Sequence, residues 1–91
     1  MSRAPRSISV TVRYFASVRE AVGTGLETLV TTASSAAELR DELIGRGGVW
    51  AHSLARGRAV RVAIDQVLQQ DEGAALSDGA EVAFFPPVTG G

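Results

Sequence analysis

The sequence predicts an α+β domain, a mixed sheet of about five strands with one main helix packed on one face. Three observations carry this. Apolar residues recur at the two-residue period of a pleated strand in Ile8 to Phe15, Ala59 to Ile64 and Glu81 to Phe85. Between them, Ser35-Ala-Ala-Glu38 is a helix-capping signature that opens a stretch with apolar residues at helical spacing. The predicted order is strand, strand, helix, strand, short strand, strand. That leaves one substantial helix to cover a sheet whose other face is bare.

The first strand sets Ile8, Val10, Val12 and Tyr14 on one face and Ser9, Thr11, Arg13 and Phe15 on the other. The first set is the core side, so Phe15 points outward among polar neighbours. Ala16 to Val22 reads as one or two helical turns, broken by Gly23-Thr-Gly25. Leu26 to Thr32, rich in Thr and Val, reads as a second strand antiparallel to the first. In the helix, roughly 35 to 46, Ala36, Leu39, Leu43 and Ile44 share the apolar face, while Glu38, Arg40, Asp41 and Glu42 fall mostly elsewhere. The Ser35 hydroxyl is expected to accept from the N–H of residue 38, with Glu38 reaching back to the N–H of Ser35. Gly45, Gly47 and Gly48 end the helix, and Trp50 to Arg56 adds a short one with Trp50 and Leu54 on one side.

The third strand turns Val60, Val62 and Ile64 inward and Arg61 and Ala63 outward. Asp65-Gln66 is a turn, and Val67-Leu68 starts a short return strand. Gln69 to Ser77 is a polar connection in which Ala74-Ala75-Leu76 makes one turn and Leu76 dips into the core. Asp78-Gly79 is a tight-turn signal that delivers the chain into the last strand. First and last strands are neighbours in such a topology. Their outward residues include Phe15 and Phe85, two of only three Phe in the chain, with Leu68 beside them. Clustered outward apolar side chains suggest a partner patch; scattered ones would be ordinary surface.

The chain of 91 residues is long enough for one core and divides into a lead-in (1–7), a domain (8–85) and an extended tail (86–91). A formal net charge of −1 implies no nucleic-acid partner. No apolar run approaches the roughly 20 residues of a membrane span, and no secretory signal follows Met1, so the cytoplasm is the expected location. Cysteine is absent, which removes disulfides and thiolate chemistry together. All the basic residues are Arg, so no lysine is present to act as a nucleophilic amine. His52 stands alone and reads as a surface residue. Asp41-Glu42 and Asp71-Glu72 read as solvated pairs, and no Gly-x-Ser-x-Gly or phosphate-binding glycine loop occurs. No catalysis is expected of the chain alone.

What remains is the tail. Pro86 and Pro87 stop the last strand, because neither has an N–H for a ladder, and each fixes its own φ. Val88, Thr89, Gly90 and Gly91 follow. One reading is an ordinary frayed terminus. The other is a delivered carboxylate: glycines thread a narrow channel with no Cβ to clash, and prolines reduce the entropy lost on insertion. Six residues reach about 20 Å from the sheet. An ATP-dependent partner can convert such a carboxylate into an acyl-adenylate, from which a sulfur or nitrogen nucleophile displaces AMP.

Phe84-Phe85-Pro86-Pro87-Val88-Thr89-Gly90-Gly91 resembles the tail of the small, sulfur-carrying subunit of molybdopterin synthase. The resemblance continues through Tyr14-Phe15-Ala16, Val18-Arg19-Glu20, Leu39-Arg40, Val62-Ala63-Ile64 and Leu76-Ser-Asp-Gly79, over about residues 8 to 91. It implies a ubiquitin-like β-grasp fold and a sulfur carrier in molybdenum cofactor biosynthesis. By this resemblance Gly91 is adenylated by a ubiquitin-activating-like adenylyltransferase/sulfurtransferase that uses ATP, and is then converted to a thiocarboxylate. Gly90 gives the tail access to the large catalytic subunit, where sulfur passes to cyclic pyranopterin monophosphate. Phe15, Leu68, Phe85, Pro86, Pro87 and Val88 are the implied partner contacts, and no cofactor is held stably. Asp65 departs from the Asn common in the family at the hairpin. A bare Gly-Gly is shared with sulfur carriers of cysteine and thiamine biosynthesis and with ubiquitin-like modifiers, which are the alternatives; a plain binding module with an idle tail is a further one.

Overall fold

The computed structural model describes residues 7–87. The expectations for Val88, Gly90 and Gly91, and those for the lead-in before Ser7, lie outside the described residues. Five strands and three helices follow in the order β1 (Ile8–Tyr14), α1 (Ala16–Val22), β2 (Leu26–Thr31), α2 (Ala36–Ile44), α3 (Gly48–Leu54), β3 (Arg61–Ile64), β4 (Val67–Gln69) and β5 (Glu81–Phe85). They form one mixed sheet in the order β2-β1-β5-β3-β4. The last strand lies at its centre, parallel to β1 with Tyr14 opposite Phe84, and antiparallel to β3 with Arg61 opposite Phe85.

Alternation in β1 puts Ile8, Val10, Val12 and Tyr14 in the core, as the period predicts. Val82 and Phe84 of β5, Val62 of β3, and Leu39 and Leu43 of α2 meet them there, all essentially inaccessible to water. Leu54 of α3 is equally buried, and Trp50 meets the Tyr14 ring edge-on, 5.3 Å between centroids. The Tyr14 hydroxyl donates to Glu27 at 2.9 Å, and Glu27 takes both Nη groups of Arg46, which in turn lies 4.4 Å over Trp50. Arg46 above all holds the Glu27 carboxyl below its ordinary range, while burial first, and then Glu27, push the Tyr14 phenol well above its own.

The structure corrects several expectations. Phe15 is not in the strand; it is the N-cap of α1, and its N–H donates to Phe84 O at 3.2 Å. Gly48 opens α3 rather than closing α2, and α3 ends at Leu54. Only half of the capping box forms. Ser35 Oγ accepts from the Glu38 N–H at 3.2 Å, but the Glu38 carboxylate takes the N–H and hydroxyl of Ser34 instead. Ser35 is otherwise engaged, in a single bridge to Ala75, so Ala74–Leu76 is extended and not a turn.

The largest correction is Arg40. Three residues before Leu43 and one after Leu39, it lies at the edge of the apolar face and is only 3% exposed. Its Nε donates to Leu54 O and its Nη2 to Ala55 O, each at 2.7 Å, while Nη1 meets Glu72 at 2.7 Å. Glu72 also pairs with Arg56, which grips Asp41. Asp41 and Glu72 are therefore structural clasps, not merely solvated charges. Together these groups fasten the chain between α3 and β3 to the back of α2.

Candidate functional site

The helices cover one face of the sheet. The other shows what the strands turn outward, and register decides which side chains meet. Arg13, Ala83, Ala63 and Leu68 stand in one row, because Arg13 pairs with Ala83, Ala83 with Ala63, and Ala63 with Leu68. The next row holds Phe85 opposite Arg61, with Phe15 continuing the β1 side. Small side chains in the middle of the first row and aromatic rings at its edge leave a concavity. It is an open groove of about 720 Å3, lined by Phe15, Ala16, Ala63, Ala83, Phe85, Pro86 and Pro87 among others.

Each expected contact residue among the described ones can be placed. Phe15 is 44% exposed, Phe85 is half-buried, and both line the groove. Pro86 and Pro87 continue from Phe85 along its wall. Leu68, 48% exposed, does not line the groove; it stands one strand beyond it, opposite Ala63. Val88, Gly90 and Gly91 lie outside the described residues.

Two groove residues were not singled out from the sequence. Arg13 donates through Nε to Glu81 Oε2 at 2.7 Å, an ion pair set into a mostly apolar wall. Both sit at outward positions of their strands, so the same alternation that found Phe15 and Phe85 contained them; what hid them was that charge at an outward position looks ordinary.

Two local features shape the rim. Ala16 has φ of 50°, a left-handed value unusual for a residue with a Cβ, at the point where the chain leaves β1 beside Phe15. Asp65 and Gln66, with φ of 50° and 70°, make the tight mirror-image turn between β3 and β4. The Asp65 carboxylate accepts from the Glu81 N–H at 3.0 Å, so the hairpin is tied to β5.

Away from the groove, His52 is exposed and bonded to Arg58. Among the described residues, no group of three or more His, Cys, Asp or Glu side chains is arranged to hold a metal. No helix among them is long and apolar enough to cross a membrane. The described site is an open, mostly apolar groove beside Pro86 and Pro87.

A five-stranded mixed sheet with its last strand central, a helix crossing one face and an apolar groove on the other defines a ubiquitin-like β-grasp protein. The chain belongs to the ThiS family, whose model matches residues 12–91. It is 41% identical over 80 residues to the molybdopterin synthase sulfur carrier subunit of Haemophilus influenzae, an alignment covering 88% of this chain and 96% of that one. Among solved structures it resembles a chain from the complex of subunits 1 and 2 of molybdopterin-converting factor from Helicobacter pylori, with a TM-score of 0.63, 26% identity, and coverage of 92% of this chain and 100% of the other. The small archaeal modifier protein 1 of Methanosarcina acetivorans shares the fold, with a TM-score of 0.75 at 21% identity over 94% of this chain and 99% of its own.

Proposed function

We propose that this protein is the sulfur carrier subunit of a molybdopterin synthase, active only in a complex. The observation that carries the reading is the path of β5. The strand runs through the centre of the sheet, presents Phe85 to the apolar groove, and passes directly into Pro86 and Pro87, from which Val88-Thr89-Gly90-Gly91 follow. A docked partner therefore holds the root of the tail against a rigid platform, and the prolines limit its directions of exit. The relative from Haemophilus influenzae bears the name of this role, and the Helicobacter pylori relative is seen as half of a two-subunit complex.

The division of labour follows from residue types. Phe15, Phe85 and Leu68 supply apolar area for the large catalytic subunit, while Pro86, Pro87 and Val88 lead the tail into it. The Gly91 carboxylate attacks the α-phosphorus of ATP on the activating enzyme and releases pyrophosphate. Sulfide delivered by that partner then attacks the acyl carbon and displaces AMP, and the thiocarboxylate that results carries sulfur to cyclic pyranopterin monophosphate. Gly90 and Gly91 have no Cβ to obstruct either active site. The platform itself holds no cofactor in this scheme, and the cytoplasm is where its partners are expected. The sulfur carriers of other pathways use the same terminal chemistry, and it is the Phe84-Phe85-Pro86-Pro87 sequence that favours molybdopterin.

The test is deletion of Gly91 in a reconstituted synthase reaction. The variant should keep native circular dichroism and thermal melting and lose sulfur transfer altogether. Transfer at the wild-type rate would overturn the proposal.

A further inference from the structure

The ion pair in the groove has an uneven use of its donors. Arg13 meets Glu81 through Nε alone. Among the described residues, neither Nη1 nor Nη2 of Arg13 donates to any acceptor, and its side chain is 47% exposed. A guanidinium has two forks for a carboxylate: the side edge, which includes Nε, and the end formed by Nη1 and Nη2. Glu81 occupies the side and leaves the end open to the groove. Arg61, also exposed and on the far side of Phe85, likewise has no acceptor among the described residues. Arg61 thus stands beside Phe85 and Arg13 one row before it, with the carboxylate of Glu81 on Arg13.

A partner that covers this face must strip water from Arg13. Leaving two Nη groups dry and without acceptors would oppose docking strongly, whereas an opposed carboxylate turns the same groups into a paired, directional contact. The geometry points to a specific complement: the protein that docks in the groove carries an Asp or Glu side chain that accepts from Nη1 and Nη2 of Arg13, beside the apolar pocket that takes Phe85. Arg13 is then a specificity-determining residue, separating an acidic-rimmed cognate partner from one that is merely apolar. This rests on the docking reading above and adds the partner's charge to it.

The experiment is a titration of the full chain with the large synthase subunit of the same organism, at about 0.05 and 0.5 M salt, across which the Debye length shortens severalfold. The variants are Arg13→Met, Arg13→Gln and Phe85→Arg, each checked by thermal melting. Because an exposed pair adds little to stability, Arg13→Met should fold, and Arg13→Gln serves if it does not. The expected result is a rise in Kd of about tenfold or more for the Arg13 variants at low salt, and a weaker salt dependence than wild type. Binding by an Arg13 variant as tight as wild type or tighter, with Phe85→Arg still disruptive, would overturn the carboxylate and leave the docking surface standing. Wild-type binding by Phe85→Arg would instead remove the docking reading and this inference with it.

Discussion

Arg40 shows how much a single residue can carry unseen. Its guanidinium is inside the fold, bonded to the carbonyl oxygens of Leu54, Ala55 and Arg58 and to Glu72. Replacement by Met keeps most of the apolar stem but leaves those carbonyls without a donor and Glu72 with one cation fewer. Arg40→Met should therefore destabilise the protein by about 2–4 kcal/mol, read as a lower urea midpoint at unchanged slope. A loss below about 0.5 kcal/mol, the ordinary range of a surface substitution, would show that water replaces the guanidinium there. The sequence places Arg40 on the polar side of the helix because a charge at a boundary position is normally solvated. Its acceptors are backbone carbonyls, which have no sequence signature, and Glu72, which lies 32 residues away. By contrast Phe85 is legible as outward because alternation in a strand is enforced by the pleat itself, and Phe15, although it caps α1, keeps an extended backbone that continues the alternation of β1.

At the level of elements, strand phase and the α2 core face follow from periodicity; the buried set of β1 is the one the pattern names, and β5 adds Ala83, buried on the outward face, to the expected Val82 and Phe84. Boundaries are less legible where two elements compete for one residue. Phe15 ends a strand pattern and caps a helix, and Gly48 reads as a terminator but starts α3. Both outcomes depend on neighbours: Phe84 O holds the Phe15 N–H, and Leu54 must reach the core. The β3–β4 hairpin is a simpler element, since its turn demands positive φ at both central residues. Asp tolerates this; Gln at 66, with φ of 70°, does so less readily. Gln66→Gly should raise stability by about 1 kcal/mol, seen as a higher melting temperature. A lower melting temperature would mean that the added freedom of the unfolded chain outweighs the relieved strain.

For the whole molecule, the sheet order turns separate features into one device. Placing β5 between β1 and β3 brings Phe15, Ala63 and Phe85 together although they are far apart in sequence, and it starts the tail from the central strand, along the groove wall. The sequence indicates that first and last strands are neighbours. It does not indicate that the small residues Ala63 and Ala83 hollow the face or that Arg13 and Glu81 pair across it, because both depend on register between strands. In the proposed function the platform supplies position and the tail supplies the reactive atom. The most direct measurement of sulfur carriage is the intact mass of the protein after incubation with ATP, the activating enzyme and a sulfur donor, followed by fragmentation. Carriage on the tail requires exchange of one oxygen for sulfur, located at Gly91. An unchanged mass with a demonstrably active enzyme, or sulfur located on any other residue, would contradict it.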